Sequence, residues 1–83
     1  MKYDFSSEAI KTIEKMDANT IGRLVKSILN LPKGDVKPMK GFSDGRLRLR
    51  VGKYRIVFAY VPEKDENQSI HIIDVDTRGD IYK

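Results

Sequence analysis

Cysteine is absent from this 83-residue chain, which excludes disulfides, a thiol nucleophile and a thiolate metal site. Histidine occurs once, as His71, and no Ser/His/Asp set, Cys/His cluster or Gly-rich phosphate loop is present as a motif. No apolar run approaches the roughly 20 residues needed to cross a bilayer. Lys2, Asp4, Ser6, Ser7 and Glu8 interrupt any apolar opening segment, so no secretory leader is expected and the chain reads as cytoplasmic, with no membrane partner. At this length one domain, 1–83, accounts for the whole sequence. Its core must be modest, and with no disulfide its stability rests on packing or on a partner.

Charge is plentiful and unevenly placed. The net charge is +4. Between Lys33 and Arg55 lie eight basic residues, Lys33, Lys37, Lys40, Arg46, Arg48, Arg50, Lys53 and Arg55, opposed only by Asp35 and Asp44. That stretch carries 8 − 2 = +6, so the remainder carries 4 − 6 = −2. Such asymmetry points to an anionic partner; the plain alternative is a solvated face.

The pattern predicts an α+β domain. Lys2 to Phe5 reads as a strand. Ser6 is placed to cap a helix, with Phe5 and Ile10 at the spacing of a hydrophobic staple and Ile10, Ile13 and Met16 continuing an apolar stripe. Asp17-Ala18-Asn19 breaks the pattern. A second helix follows with Ile21, Leu24, Val25, Ile28 and Leu29 on one face, and Pro32 and Gly34 stop it. Residues 32–45, with Pro32, Gly34, Pro38, Gly41 and Gly45, read as a connecting loop. Strands are expected from Arg46 to Val51, Tyr54 to Val61 and Ile70 to Val75. The predicted order is β-α-α-β-β-β: a helical hairpin packed on one face of a mainly antiparallel four-stranded sheet.

The middle hairpin carries the functional argument. Pairing around a two-residue turn at Gly52-Lys53 sets Arg50 opposite Arg55, Arg48 opposite Val57 and Arg46 opposite Ala59. Alternation then puts these six residues on one side and Leu47, Leu49, Val51, Tyr54, Ile56, Phe58 and Tyr60 on the other. The second side is the core. On the first, four arginines gather over small residues with no acid interspersed along the hairpin. Like charges facing across strands destabilise a sheet, whereas a bound anion relieves them. Arg meets phosphate bidentately, so Arg46, Arg48, Arg50 and Arg55, with Lys53, Lys40 and Lys37, are candidate phosphate or RNA contacts.

These features resemble a known family. The run from Gly45 to Phe58, a basic strand passing through a Gly-containing turn into Tyr54-Arg55 and apolar residues, is similar to the hairpin of RelE/ParE-type toxins of type II toxin–antitoxin systems. The tail Ile73-Asp-Val-Asp-Thr-Arg-Gly-Asp-Ile-Tyr82 is similar to the family's ending, an Arg followed by a Tyr. The resemblance spans essentially the whole chain. It implies a metal-independent endoribonuclease with no cofactor, cutting mRNA in the ribosomal A site by attack of the 2′-OH on its own phosphate. It further implies that Arg55 and Arg78 stabilise the scissile phosphate and that Tyr82 stacks on a base or assists proton transfer. Arg46 and Arg48 fall where RelE has two lysines. Arg scarcely titrates, so this pair favours charge stabilisation over proton transfer. A cognate antitoxin is implied as partner, acidic and amphipathic, bringing operator DNA through its own DNA-binding segment.

Two other readings stay open: a ParE-like inhibitor of DNA gyrase, and a non-catalytic RNA-binding or antitoxin-docking domain. His71, mid-strand, reads as structural. Asp74 and Asp76 share a strand face as metal ligands would, with Asp80 following, yet the resemblance implies no metal and acids beside Arg78 can orient it. Tyr82 is either a C-terminal core residue or a functional one.

Overall fold

The computed structural model describes residues 2–31, 33–39, 41, 45–62 and 68–76. The chain opens with strand β1, Lys2–Phe5, and turns into helix α1, Ser7–Glu14. Ser6 is the N-cap: its Oγ accepts from the Ala9 N–H at 3.1 Å, satisfying one donor the first turn leaves unpaired. Helix α2, Ala18–Leu29, follows at once. Asp17 is its N-cap, accepting from the Thr20 N–H at 3.1 Å. The Asp17-Ala18-Asn19 interruption is therefore a cap and the first helical turn rather than a separate break.

Four more strands complete the fold: β2, Asp35–Pro38; β3, Leu47–Val51; β4, Tyr54–Pro62; and β5, Gln68–Asp76. They form one five-stranded sheet in the order β1-β5-β4-β3-β2. Only β1 with β5 is parallel; the other neighbours are antiparallel. The α+β class and the mainly antiparallel sheet are as the sequence predicts, with one more strand than the four expected. The extra strand is β2, inside the stretch read as a loop. Edge position explains it: an outermost strand needs partners on one side only, so it tolerates a proline, and Pro38 ends the pairing opposite Leu47.

Both helices pack on the same face of the sheet, α1 against β5 and α2 against β3. Leu24 and Ile28 of α2, Leu31, and Ala9 of α1 bury themselves against Leu49, Ile56, Phe58, Ile70, Ile72 and Val75. In α1 the inward face centres on Ala9 and Ile13, continued past the helix by Met16, while Ile10 is left exposed. At 100° per residue, Ile10 lies too far round the helix to share that face. Phe58 is fully buried and meets Tyr60 edge-on, with ring centroids 5.6 Å apart, the geometry favoured by the aromatic quadrupole.

Strand β5 departs from simple alternation. Val57 of β4 pairs with Asp74, but Phe58 pairs with Ile72, so Ile73 is an extra residue with no partner. This is a β-bulge, and it shifts the phase of the strand. Before it Ile70 and Ile72 face the core; after it Val75 does, and Asp74 and Asp76 turn to the opposite face. Ser6 braces the bulge: its N–H donates to the Ile72 carbonyl at 2.9 Å and its hydroxyl donates to the Ile73 carbonyl.

Candidate functional site

The hairpin of β3 and β4 has the expected register. Val51 pairs with Tyr54 around Gly52-Lys53, Arg50 with Arg55, and Arg48 with Val57. Gly52 adopts φ +60°, a left-handed conformation that glycine takes at no steric cost. A Cβ there would also stand 3.1 Å from a guanidinium nitrogen of Arg23.

Strand pairing extends this hairpin into rows across the sheet. One row reads Asp35, Arg50, Arg55, Asp76; the next reads Lys37, Arg48, Val57, Asp74. The arginine face is thus bounded by acids: Asp35 stands opposite Arg50 on the outer strand, and Asp76 opposite Arg55 on the inner one. The hairpin taken alone shows no acidic neighbour. Its flanking strands supply two, because cross-strand pairs stabilise a sheet when the charges are opposite.

A cavity of about 370 Å³ opens on this face, lined by Lys37, Pro38, Met39, Arg48, Arg55, Val57 and Asp76. Pro38, Met39 and Val57 form its apolar part, and the charged groups converge from four strands. Arg48 Nε is buried and makes no hydrogen bond among the described residues. A buried donor without a partner carries a desolvation cost of about 1–3 kcal/mol.

Of the candidates from sequence, Lys37, Arg48 and Arg55 come together here. Arg50 stands beside Arg55 in the sheet, exposed, with its Nε 3.5 Å from the Gly52 carbonyl. Arg46 lies just before β3, half-buried, its carbonyl accepting from the Met39 N–H at 3.1 Å. Lys53, in the turn, lies 5.5 Å from the Tyr54 ring centroid and lines a separate pocket with Thr12, Lys15, Met16, Asp17, Thr20 and Tyr54. Lys40, Arg78 and Tyr82, like Asp80, lie outside the described residues. His71 does not line the cavity; its Nδ1 sits 3.2 Å from Asp4 Oδ2, tying β1 to β5. Asp74 accepts from the Val75 N–H at 2.9 Å, beside the bulge.

Asp76 is the charged lining residue that the sequence reading did not assign to this site. The signal for it is the doublet Ile72-Ile73 inside an otherwise alternating strand. Two successive apolar residues there mark the phase change that turns Asp74 and Asp76 outward. Among the described residues, no group of three or more potential metal ligands forms.

No protein-family model matches the sequence, and no curated protein matches it by sequence. Similarity is found in structure. A chain of the RelB–RelE antitoxin–toxin complex from Methanococcus jannaschii superposes with a TM-score of 0.68 at 28% identity, covering 95% of this chain and 94% of that one. A chain of the archaeal RelE–RelB complex from Pyrococcus horikoshii OT3 gives 0.68 at 22% identity, covering 94% of each. A chain of the toxin–antitoxin complex RelBE2 from Mycobacterium tuberculosis gives 0.69 at 19%, covering 90% of this chain and 94% of that one. Over nearly its whole length this chain shares the fold of chains from these RelE–RelB toxin–antitoxin complexes.

Proposed function

We propose that this protein is the toxin of a type II toxin–antitoxin pair and acts as a metal-independent, ribosome-dependent endoribonuclease on mRNA. The observation that carries this reading is the cavity in which Arg48 and Arg55 converge beside Lys37. Its volume suits a phosphate with part of its nucleotide. Cleavage by the 2′-OH develops negative charge on the phosphoryl oxygens. Donors already fixed in place lower the barrier, because nothing must reorganise as the charge appears. Arg48 and Arg55 are such donors, both lining the cavity. Lys37, Arg50, Arg46, Lys53 and Lys40 would then contact neighbouring phosphates, adding affinity with little sequence preference. From the resemblance, Arg78 is proposed as a second phosphate ligand and Tyr82 as a base-stacking or proton-transfer residue.

The structural neighbours were solved as complexes of RelE with RelB, and a cognate antitoxin is the partner proposed here, with operator DNA reached through it. An acidic segment would neutralise the basic stretch, and α2 offers an apolar contact. No described helix is long and apolar enough to cross a membrane, and action on ribosomes places the protein in the cytoplasm.

The test is brief expression in bacteria with new RNA 5′ ends mapped across transcripts, beside an Arg48→Ala/Arg55→Ala variant. New ends inside translated codons, absent with the variant, are the expected result. Growth arrest with DNA damage signalling and intact transcripts would replace this reading with gyrase inhibition. Neither arrest nor new ends, from a folded protein, would leave a docking domain.

A further inference from the structure

We propose that Asp76 is the proton acceptor of this site, taking the proton from the attacking 2′-OH; the assignment rests on the nuclease reading above and leaves Tyr82 of that reading to stack on a base. The reaction requires a base. Guanidinium groups hold their protons in proteins, so Arg48 and Arg55 can steady charge but cannot remove a proton. Lysine serves as a base where it is buried, and Lys37 is exposed. His71 lies outside the cavity, next to Asp4. Among the described residues lining the cavity, Asp76 is the only carboxylate.

Its position is built rather than incidental. Without the bulge at Ile73, Asp74 and Asp76 would continue the phase of Ile70 and Ile72 into the core. With it, both face the arginines, and bulges commonly re-aim side chains beside active sites. The two acids then diverge. Asp74 turns back to the Val75 N–H at 2.9 Å, a local structural bond. Asp76 lines the cavity, directly across from Arg55. Among the described residues of the strands, the charged or titratable groups on its side of the sheet are Arg55 from β4, Arg48 and Arg50 from β3, Lys37 and Asp35 from β2, Asp74 from β5 itself and, further along, His71 of β5 with Asp4 and Lys2 of β1.

In the proposed step a carboxylate oxygen of Asp76 takes the 2′-OH proton while the 2′ oxygen forms its bond to phosphorus. The P–O5′ bond breaks with its electron pair on O5′, which takes a proton from water. The products are a 2′,3′-cyclic phosphate and a free 5′-OH. Arg48 and Arg55 hold the phosphoryl oxygens throughout.

The experiment compares wild type with Asp76→Asn, nearly identical in shape, on ribosomes carrying an mRNA codon in the A site. Single-turnover cutting is measured alongside affinity for the same complex made with a 2′-deoxynucleotide at the cut position, which binds but cannot cyclise. The expected result is cutting slowed about 10²–10⁴-fold, the usual contribution of a positioned base, with affinity retained or increased. An Asp76→His variant is expected to cut at a rate that rises with pH through about 6.5, the ordinary imidazole value. Asp76→Asn that cuts within threefold of wild type overturns the assignment. So does parallel loss of cutting and affinity, which would make Asp76 a residue that orients Arg55. A pH-independent rate in the Asp76→His variant overturns it as well. Wild type that cuts nothing overturns the nuclease reading itself, and this assignment with it.

Discussion

Ser6 joins three parts of the molecule through one side chain and one amide. It caps α1, holds the carbonyl of the bulged Ile73 and donates its own N–H to Ile72. Ser6→Ala removes the cap acceptor and the donor to Ile73 together. We expect a loss of about 1–2 kcal/mol, the upper part of the usual range for a cap, read from the midpoint of urea denaturation. An Ala variant as stable as wild type would show that the bulge holds itself. Asp17 caps α2 in the same way, and its hydrogen bonds from Thr20 hold its carboxyl below the ordinary aspartate value. A carboxyl with a lowered folded pKa stabilises fully above its unfolded pKa, and the contribution disappears as pH falls through the folded value. Acid unfolding of wild type should therefore be steeper below the ordinary aspartate range than that of Asp17→Ala. Coincident acid limbs would remove Asp17 from the account. Ser6 was legible as a cap, whereas Asp17 was legible only as a break. A cap is a short-range bond within one turn, and local sequence suffices to specify it.

At the scale of elements, α2 has more apolar surface than the sheet covers. Leu24 and Ile28 are buried, yet Val25 is 40% and Leu29 58% exposed. The sequence shows all five apolar positions on one broad face; packing on the sheet covers only part of that face. Leaving two large apolar residues on one helix in water gains nothing for the isolated domain, whereas a partner helix would bury them. We expect Val25→Gln/Leu29→Gln to leave the thermal midpoint almost unchanged, as surface substitutions usually do. Binding to the antitoxin proposed above should weaken about tenfold or more, as when anchoring contacts are lost. Calorimetric titration of the co-purified partner gives the answer, and unchanged affinity would send the contact elsewhere. The hairpin of β3 and β4 was fully legible, because its turn and its alternation lie within a few consecutive residues. Strand β2 was not, because Pro38 and the nearby glycines look like a loop until β3 lies alongside to pair with it.

For the whole molecule, the balance of charge across the sheet matters more than the total. The rows bracket the arginines between Asp35 and Asp76, so folding does not have to bear uncompensated repulsion, and an incoming phosphate meets a site already near balance. If Lys37, Arg48 and Arg55 each meet a phosphate, log affinity for a non-cleavable single-stranded RNA should fall with log salt at about −0.7 per contact. Replacing Arg48 with Ala should reduce the slope by about that amount. A slope the substitution leaves unchanged would mean that Arg48 meets no phosphate. The sequence by itself determined the two helices with the cap of the first, the hairpin register and the clustering of arginines on one strand face, since each depends on periodicity and neighbours a few residues apart. Only the tertiary structure decided the fifth strand, the exposure of Val25 and Leu29, and the arrival of Asp35 and Asp76 beside the arginines. Those depend on which distant strands pair and on a single extra residue at Ile73, and a one-residue shift in a strand reverses every side chain beyond it.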